Sequence, residues 1–202
     1  DYHIRLLTFD VVFAEPDTSS GLASLERLAG GELRGDAAFR QALGALRPAL
    51  DYDRRFADAL RGRAVVLGYY LNNFSTPLRH GALPVPTLRR EDFAGQAVYA
   101  TQWTGFGANL PEFQRSAGNA GHFNPLIDPD GVSRRVPLLG ELDGAYYESL
   151  SLAVVRLLFD GAPLRPVYAE GAAQDGLGPE WLALRTPQRE LRIPVDENVA
   201  AL

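Results

Sequence analysis

Two stretches decide the fold: IRLLTFDVVF, from Ile4 to Phe13, and RAVVLGYYL, from Arg63 to Leu71. Both are apolar almost throughout and rich in β-branched and aromatic residues, with charge only at Arg5, Asp10 and Arg63. A strand with one wet face alternates apolar and polar residues. A run that is apolar on both faces reads instead as a strand covered on both sides, the habit of parallel sheets. The two runs are therefore expected to be neighbouring parallel central strands, joined by a helical crossover.

The residues between and after them fill in that frame. EPDTSSG, from Glu15 to Gly21, is a loop of turn and cap formers. Asp36 is placed to cap a helix from Ala37 to Leu46, where Phe39, Leu43 and Leu46 recur at helical spacing. Asp51 or Asp53 is placed to cap a shorter helix around Arg54 to Leu60. Asn72 to Pro86 holds an Asn pair, a glycine and three prolines and reads as a long loop. A short helix is expected around Pro111, from Ala108 to Ser116. The runs from Ala120 to Ile127 and Val132 to Leu139 flank Asp128-Pro-Asp-Gly131, which predicts a hairpin. ESLSLAVVRLLF, from Glu148 to Phe159, is the strongest helix pattern and is closed by Gly161 and Pro163. Trp181 and Ala183, then Leu191, Ile193 and Val195, alternate as two antiparallel edge strands. The expected class is α/β: a mixed, largely parallel central sheet flanked by helices, with an antiparallel peripheral part.

Composition narrows the chemistry. The 202 residues are 46% apolar and 22% charged, enough to bury a core as one domain without cross-links. Cysteine is absent, which removes disulfides, thiolate metal sites and thiol nucleophiles. A net charge of −5 without a dense basic run argues against a nucleic-acid partner. No apolar stretch approaches the roughly 20 residues of a membrane span, so any such span is expected outside this chain. The nucleophile elbow and the P-loop are both missing. His3, His80 and His122 lack paired metal-ligand spacing, so no metal and no cofactor are expected.

Carboxylates and asparagines remain. Glu15 and Asp17 follow the first strand, where open α/β sheets place their binding crevice, and Asp10 lies within that strand. Asn72 and Asn73 end the second strand, and Asn124 follows the third apolar segment. A polar crevice lined by Glu15 and Asp17 on one side and by Asn72, Asn73 and Asn124 on the other suits a small polar ligand. An anionic one would instead need Arg134 or Arg135 to swing in and outweigh the two acids. The plainer reading is that Asp17 caps a turn and Asp10 pairs with an arginine. Metal- or carboxylate-dependent hydrolysis by Asp10, Glu15 and Asp17 is the enzymatic alternative, and it requires the three groups to converge.

Four segments taken in order resemble a known family. They are FDVVFAEPD (Phe9 to Asp17); LDYDRRFADAL with RAVVLG (Leu50 to Gly68); AGHFNPLIDPDGVSRRVPLL with YYESLSLAVVRLL (Ala120 to Leu158); and the closing IPVDENVAAL. Together the chain is similar to the CHASE sensor domain of the second type, a sensory extracellular domain associated with cyclases and histidine kinases. The resemblance implies a non-enzymatic, extracytoplasmic or periplasmic sensor of a bacterial membrane receptor. It would be linked through transmembrane helices to a cytoplasmic cyclase or kinase. The implied partners are an unknown small-molecule signal, those helices and output domain, and a possible second copy. Family-recurrent positions fall on Asp10, Glu15, Asp17, Asp53, Gly121, Asp128, Asp130, Gly131 and Arg134. The family pattern also implies a strand and helix before Asp1 and a strand after Leu202.

Overall fold

The computed structural model describes residues 3–127 and 130–202. The chain runs β1 (Leu7–Phe9), α1 (Leu22–Gly30), α2 (Ala37–Leu50), α3 (Tyr52–Leu60), β2 (Val65–Asn72), β3 (Arg79–His80) and β4 (Leu88–Arg89). It continues with β5 (Thr101–Trp103), β6 (Gly105–Gly107), α4 (Pro111–Ala117), β7 (Asn119–His122), β8 (Leu126–Ile127) and β9 (Ser133–Arg135). The last elements are β10 (Leu139–Leu142), β11 (Ala145–Glu148), α5 (Leu150–Leu158), β12 (Leu164–Val167), α6 (Ala172–Asp175), β13 (Trp181–Arg185) and β14 (Glu190–Pro194).

The first sheet is organised by β2. It pairs in parallel with β1, Leu7 to Phe9 lying opposite Val65 to Leu67, and in parallel with β7 on its other side. Its far end pairs antiparallel with β6, which in turn holds β3 in parallel. Val65, Leu67, Tyr69 and Leu71 share one face of β2 and pack with Ala57 and Leu60 of α3 and Phe113 and Ala117 of α4. The opposite face carries Gly68 and Gly121 under α5. A β-carbon on Gly121 would lie 2.5 Å from the Leu150 Cα, so only glycine lets the start of that helix approach the strand. β2 is thus covered on both sides, as its apolar run predicts.

A second sheet, β4-β11-β10-β5, is mostly antiparallel, and β12, β13 and β14 form a third, wholly antiparallel one. Their inner faces share a second core of Leu139, Tyr146, Leu152, Leu182, Leu184 and Val199. The mixed α/β class with an antiparallel periphery is therefore the observed one.

Several local expectations are met by geometry. The Asp36 carboxylate accepts from the Phe39 amide at 2.9 Å and starts α2. Asp51 does the same for the Arg54 amide at 3.0 Å and starts α3. Gly161 closes α5 in the left-handed region as expected, and the structure adds a cap at Ser149, whose hydroxyl accepts from the Leu152 amide at 3.3 Å. β8 and β9 pair antiparallel as a hairpin, although Asp128 and Pro129 of its turn lie outside the described residues.

The first strand needs correction. It pairs over three residues only, and it sits at the edge of its sheet rather than at the centre. Ile4 and Leu7 are 71% and 46% exposed, so this run is not covered on both sides. The chain leaves the sheet after Phe9: the Phe9 ring packs edge-on against Phe13 and against Phe56 of α3, and Phe13 packs at a tilt against Phe56. Apolar continuity recorded that ring cluster, not a strand buried on both faces. Two further differences are smaller. β13 is the middle strand of its sheet, and α1 is a helix in a stretch to which the sequence pattern assigns no element.

Candidate functional site

Because β1 and β2 run in parallel, the chain leaves both at the same rim of the sheet. Asp10 and Glu15 are exposed there. Asp17 is fixed by its own turn: one carboxylate oxygen accepts from the Ser19 amide at 3.0 Å and the Ser19 hydroxyl at 2.6 Å. The other oxygen accepts from the Ser20 amide at 3.1 Å. These donors, the Ser19 and Ser20 side chains foremost, hold the Asp17 carboxyl well below the usual carboxylate range. The Asp17 amide donates to the Asp53 carboxylate at 2.9 Å, tying the loop to the first turn of α3. Asp17, Ser20, Glu26, Asp51, Tyr52 and Asp53 contribute to the wall of a cleft of about 150 Å³.

The asparagines serve the backbone. Asn72 donates to the Leu78 carbonyl at 3.1 Å. Asn73 donates to the Gln102 carbonyl and accepts from the Thr104 amide, both at 2.9 Å. Asn124 accepts from the Leu71 amide and donates to the Leu71 carbonyl, both at 2.8 Å, and so acts as a strand neighbour would. None of the three lines the Asp17 cleft. Arg134 makes a bidentate pair with Asp130, at 3.0 and 2.8 Å, on the exposed hairpin. Among the described residues, no three acidic or histidine side chains are arranged to hold a metal ion.

Two features escaped the sequence reading. Asn109 is fully buried, accepts from the Phe13 amide at 2.8 Å and donates to the Gly68 carbonyl at 2.9 Å. It joins the chain after β1 to the middle of β2. Its only sequence signal is an amide flanked by Ala108 and Leu110.

The second is a buried polar group where β2 and β7 meet β11. Tyr69 and His122 are register partners, with their rings edge-to-face at 6.4 Å, and both are fully buried. Among the described residues neither the Tyr69 hydroxyl nor either His122 ring nitrogen has a hydrogen-bond partner of good geometry. Burial pulls His122 down to about 4, and the nearby Tyr147 backbone opposes this only weakly, so the ring is neutral at pH 7. Burial likewise raises Tyr69 well above the usual tyrosine range. Beside them Glu148 is pushed up by burial and pulled back by Arg156, whose guanidinium donates to it at 2.6 Å. Glu148 and Arg156 line a cleft of about 210 Å³ together with Pro84, Pro86 and Thr87.

The chain matches the family model of the CHASE2 domain over residues 1–202. It belongs to the CHASE2 family. No curated protein and no solved structure matches it. CHASE2 domains are extracellular sensory domains, which gives this chain a signal-sensing role and agrees with a carboxylate set arranged for turns and caps. Among the described residues of this CHASE2 domain, no helix is long and apolar enough to cross a membrane. Of the family-recurrent positions, Gly121 admits α5 to the sheet, Asp17 and Asp53 knit the rim loop, and Asp130 and Arg134 pair. Asp128 lies outside the described residues.

Proposed function

We propose that this CHASE2 domain is the extracytoplasmic sensing module of a bacterial transmembrane receptor. In this reading membrane helices of the same protein carry its state to a cytoplasmic cyclase or kinase. The family match along the whole chain is the observation that carries it. A signal shifts such a receptor only by its difference in affinity between two states of the domain. Within the sequence-derived site we assign the signal to Glu15 and Asp17. Solvent reaches them, Asp17 is already held as an anion, and the asparagine amides are already used. A small amine or a cation complements that rim.

The first test is the sequence on both sides of the domain, with reporter fusions that fix its topology. Membrane helices followed by a cyclase or kinase domain are expected. A cleaved secretion signal with no membrane helix would overturn the receptor reading. The rim is tested by thermal shifts with small amines, divalent metals and carboxylates, on wild type and on Glu15→Gln/Asp17→Asn. Amine or metal stabilisation that vanishes in the double variant is expected. Stabilisation that persists unchanged places the signal elsewhere.

A second copy is the protein partner we propose. α2 has only Arg40, Gln41 and Arg47 as polar side chains, yet none of its residues is buried. Ala38, Ala42, Ala45, Leu46 and Ala49 fall on one uncharged, exposed arc of the helix. Sedimentation velocity over rising concentration should show self-association that Ala42→Glu abolishes. A monomer throughout would remove this reading.

A further inference from the structure

In the groove between α3 and α4, a cleft with a different lining from that around Asp17, we infer a binding site for a phosphate group, free or as a phosphomonoester. The site does not depend on the receptor reading. Arg54 and Ala57 are three residues apart on one side of α3 and Arg61 follows the helix directly, while Glu112, Arg115 and Ser116 share one side of α4. Together they line a cleft of about 270 Å³. Ala57 is 3% exposed and its small side chain leaves the space open. Three arginines and one glutamate therefore line the cavity.

The charges in the groove are poorly matched within the chain. Asp58 pairs with Arg61 at 2.8 Å, but its distance to Arg54 is 3.9 Å, beyond hydrogen-bond reach. Arg115 makes no hydrogen bond or ion pair with any described residue. The larger cleft of about 540 Å³ on the third sheet differs in this respect. There Glu190 lies between Arg165 and Arg192, at 3.1 and 3.0 Å, and occupies both.

The arrangement selects for geometry as well as charge. One guanidinium fork satisfies a planar carboxylate. Guanidiniums arriving from two helices, with the Ser116 hydroxyl beside them, suit the several oxygens of a tetrahedral anion. The cavity is larger than a phosphate ion, which leaves room for an organic substituent, and Glu112 offers that substituent an acceptor.

The test is calorimetric titration of the 202-residue chain with inorganic phosphate, glycerol phosphate and acetate at low salt. Saturable binding of phosphate or the ester is expected, with acetate weaker by on the order of ten-fold. Arg115→Gln should weaken binding by roughly five-fold or more, and Arg54→Gln/Arg115→Gln should weaken it further. Arg165→Gln should leave it unchanged. Arg54 is 74% exposed, so these variants are expected to keep the wild-type melting temperature, which is measured alongside. Co-sedimentation with vesicles of phosphatidic acid, against phosphatidylcholine alone, separates a lipid headgroup from a soluble ester as the source, and binding to either supports the site. Absence of binding to phosphate, the ester and the vesicles overturns it. Affinity unchanged in the double variant, or equal for acetate, does the same.

Discussion

Asn109 and His122 are both fully buried beside β2, and they treat their polar atoms in opposite ways. Asn109 spends both ends of its amide on backbone groups of Phe13 and Gly68. His122 and its register partner Tyr69 leave nitrogen and oxygen without partners among the described residues. A buried polar group that is satisfied stabilises the fold modestly, and removing it strands its partners at a much larger cost. An unsatisfied one strands nothing when removed. Burial alone therefore does not say whether a polar side chain holds this protein together.

Several measurements break or sharpen that contrast. Asn109→Ala removes the side-chain partner of a part-buried amide and of a buried carbonyl, and should lower unfolding stability by about 2–4 kcal/mol in urea titrations. A loss below about 1 kcal/mol would show that the strand end rearranges to satisfy both groups.

The effect of pH on His122 comes next. The folded-state value of about 4 lies below the ordinary 6.5, so the unfolded chain takes up the proton first as pH falls. The stability associated with the neutral ring is complete above pH 6.5 and is lost as pH falls towards 4. The loss amounts to about 3 kcal/mol, from about 1.4 kcal/mol per pH unit. Glu148 works in the opposite direction, because its raised value favours the folded protein while the carboxyl is protonated and this advantage is lost as pH rises. Urea midpoints across this range should therefore show a steeper acid loss in wild type than in His122→Phe. Parallel profiles would mean that the imidazole is not the group that titrates.

Tyr69→Phe removes a hydroxyl without a partner, so stability should be unchanged or rise by up to about 1 kcal/mol in thermal melts. A clear loss would reveal a hydrogen bond to solvent inside the core. The smallest effect belongs to the exposed hairpin. Asp130→Asn removes one side of an ion pair in water, and its melting temperature should match wild type.

The hydrogen bonding of the candidate residues was legible in part. Asp17, Asp36 and Asp51 announce themselves because a cap and the amide it serves lie within three residues of each other. Asn72, Asn73 and Asn124 were visible as polar groups at strand ends, but which groups they bind was not. Asn124 reaches Leu71 across 53 positions, and Asn73 reaches Gln102 across 29. Only the pairing of strands brings those groups within bonding distance.

The sequence alone specified the mixed α/β class, the caps of α2 and α3, the closure of α5, and the hairpin of β8 and β9. Each rests on periodicity or on hydrogen bonds between near neighbours in the chain. It also carried the CHASE2 family pattern. Tertiary structure alone decided that β1 lies at an edge, that Asn109 clamps Phe13 from 96 positions away, and that Tyr69 and His122 meet in the buried interior. It also set arginines of two helices around one groove. Those outcomes depend on which distant segments pack together and exclude water. Local periodicity reports the apolar face of an element, not the partner that comes to cover it.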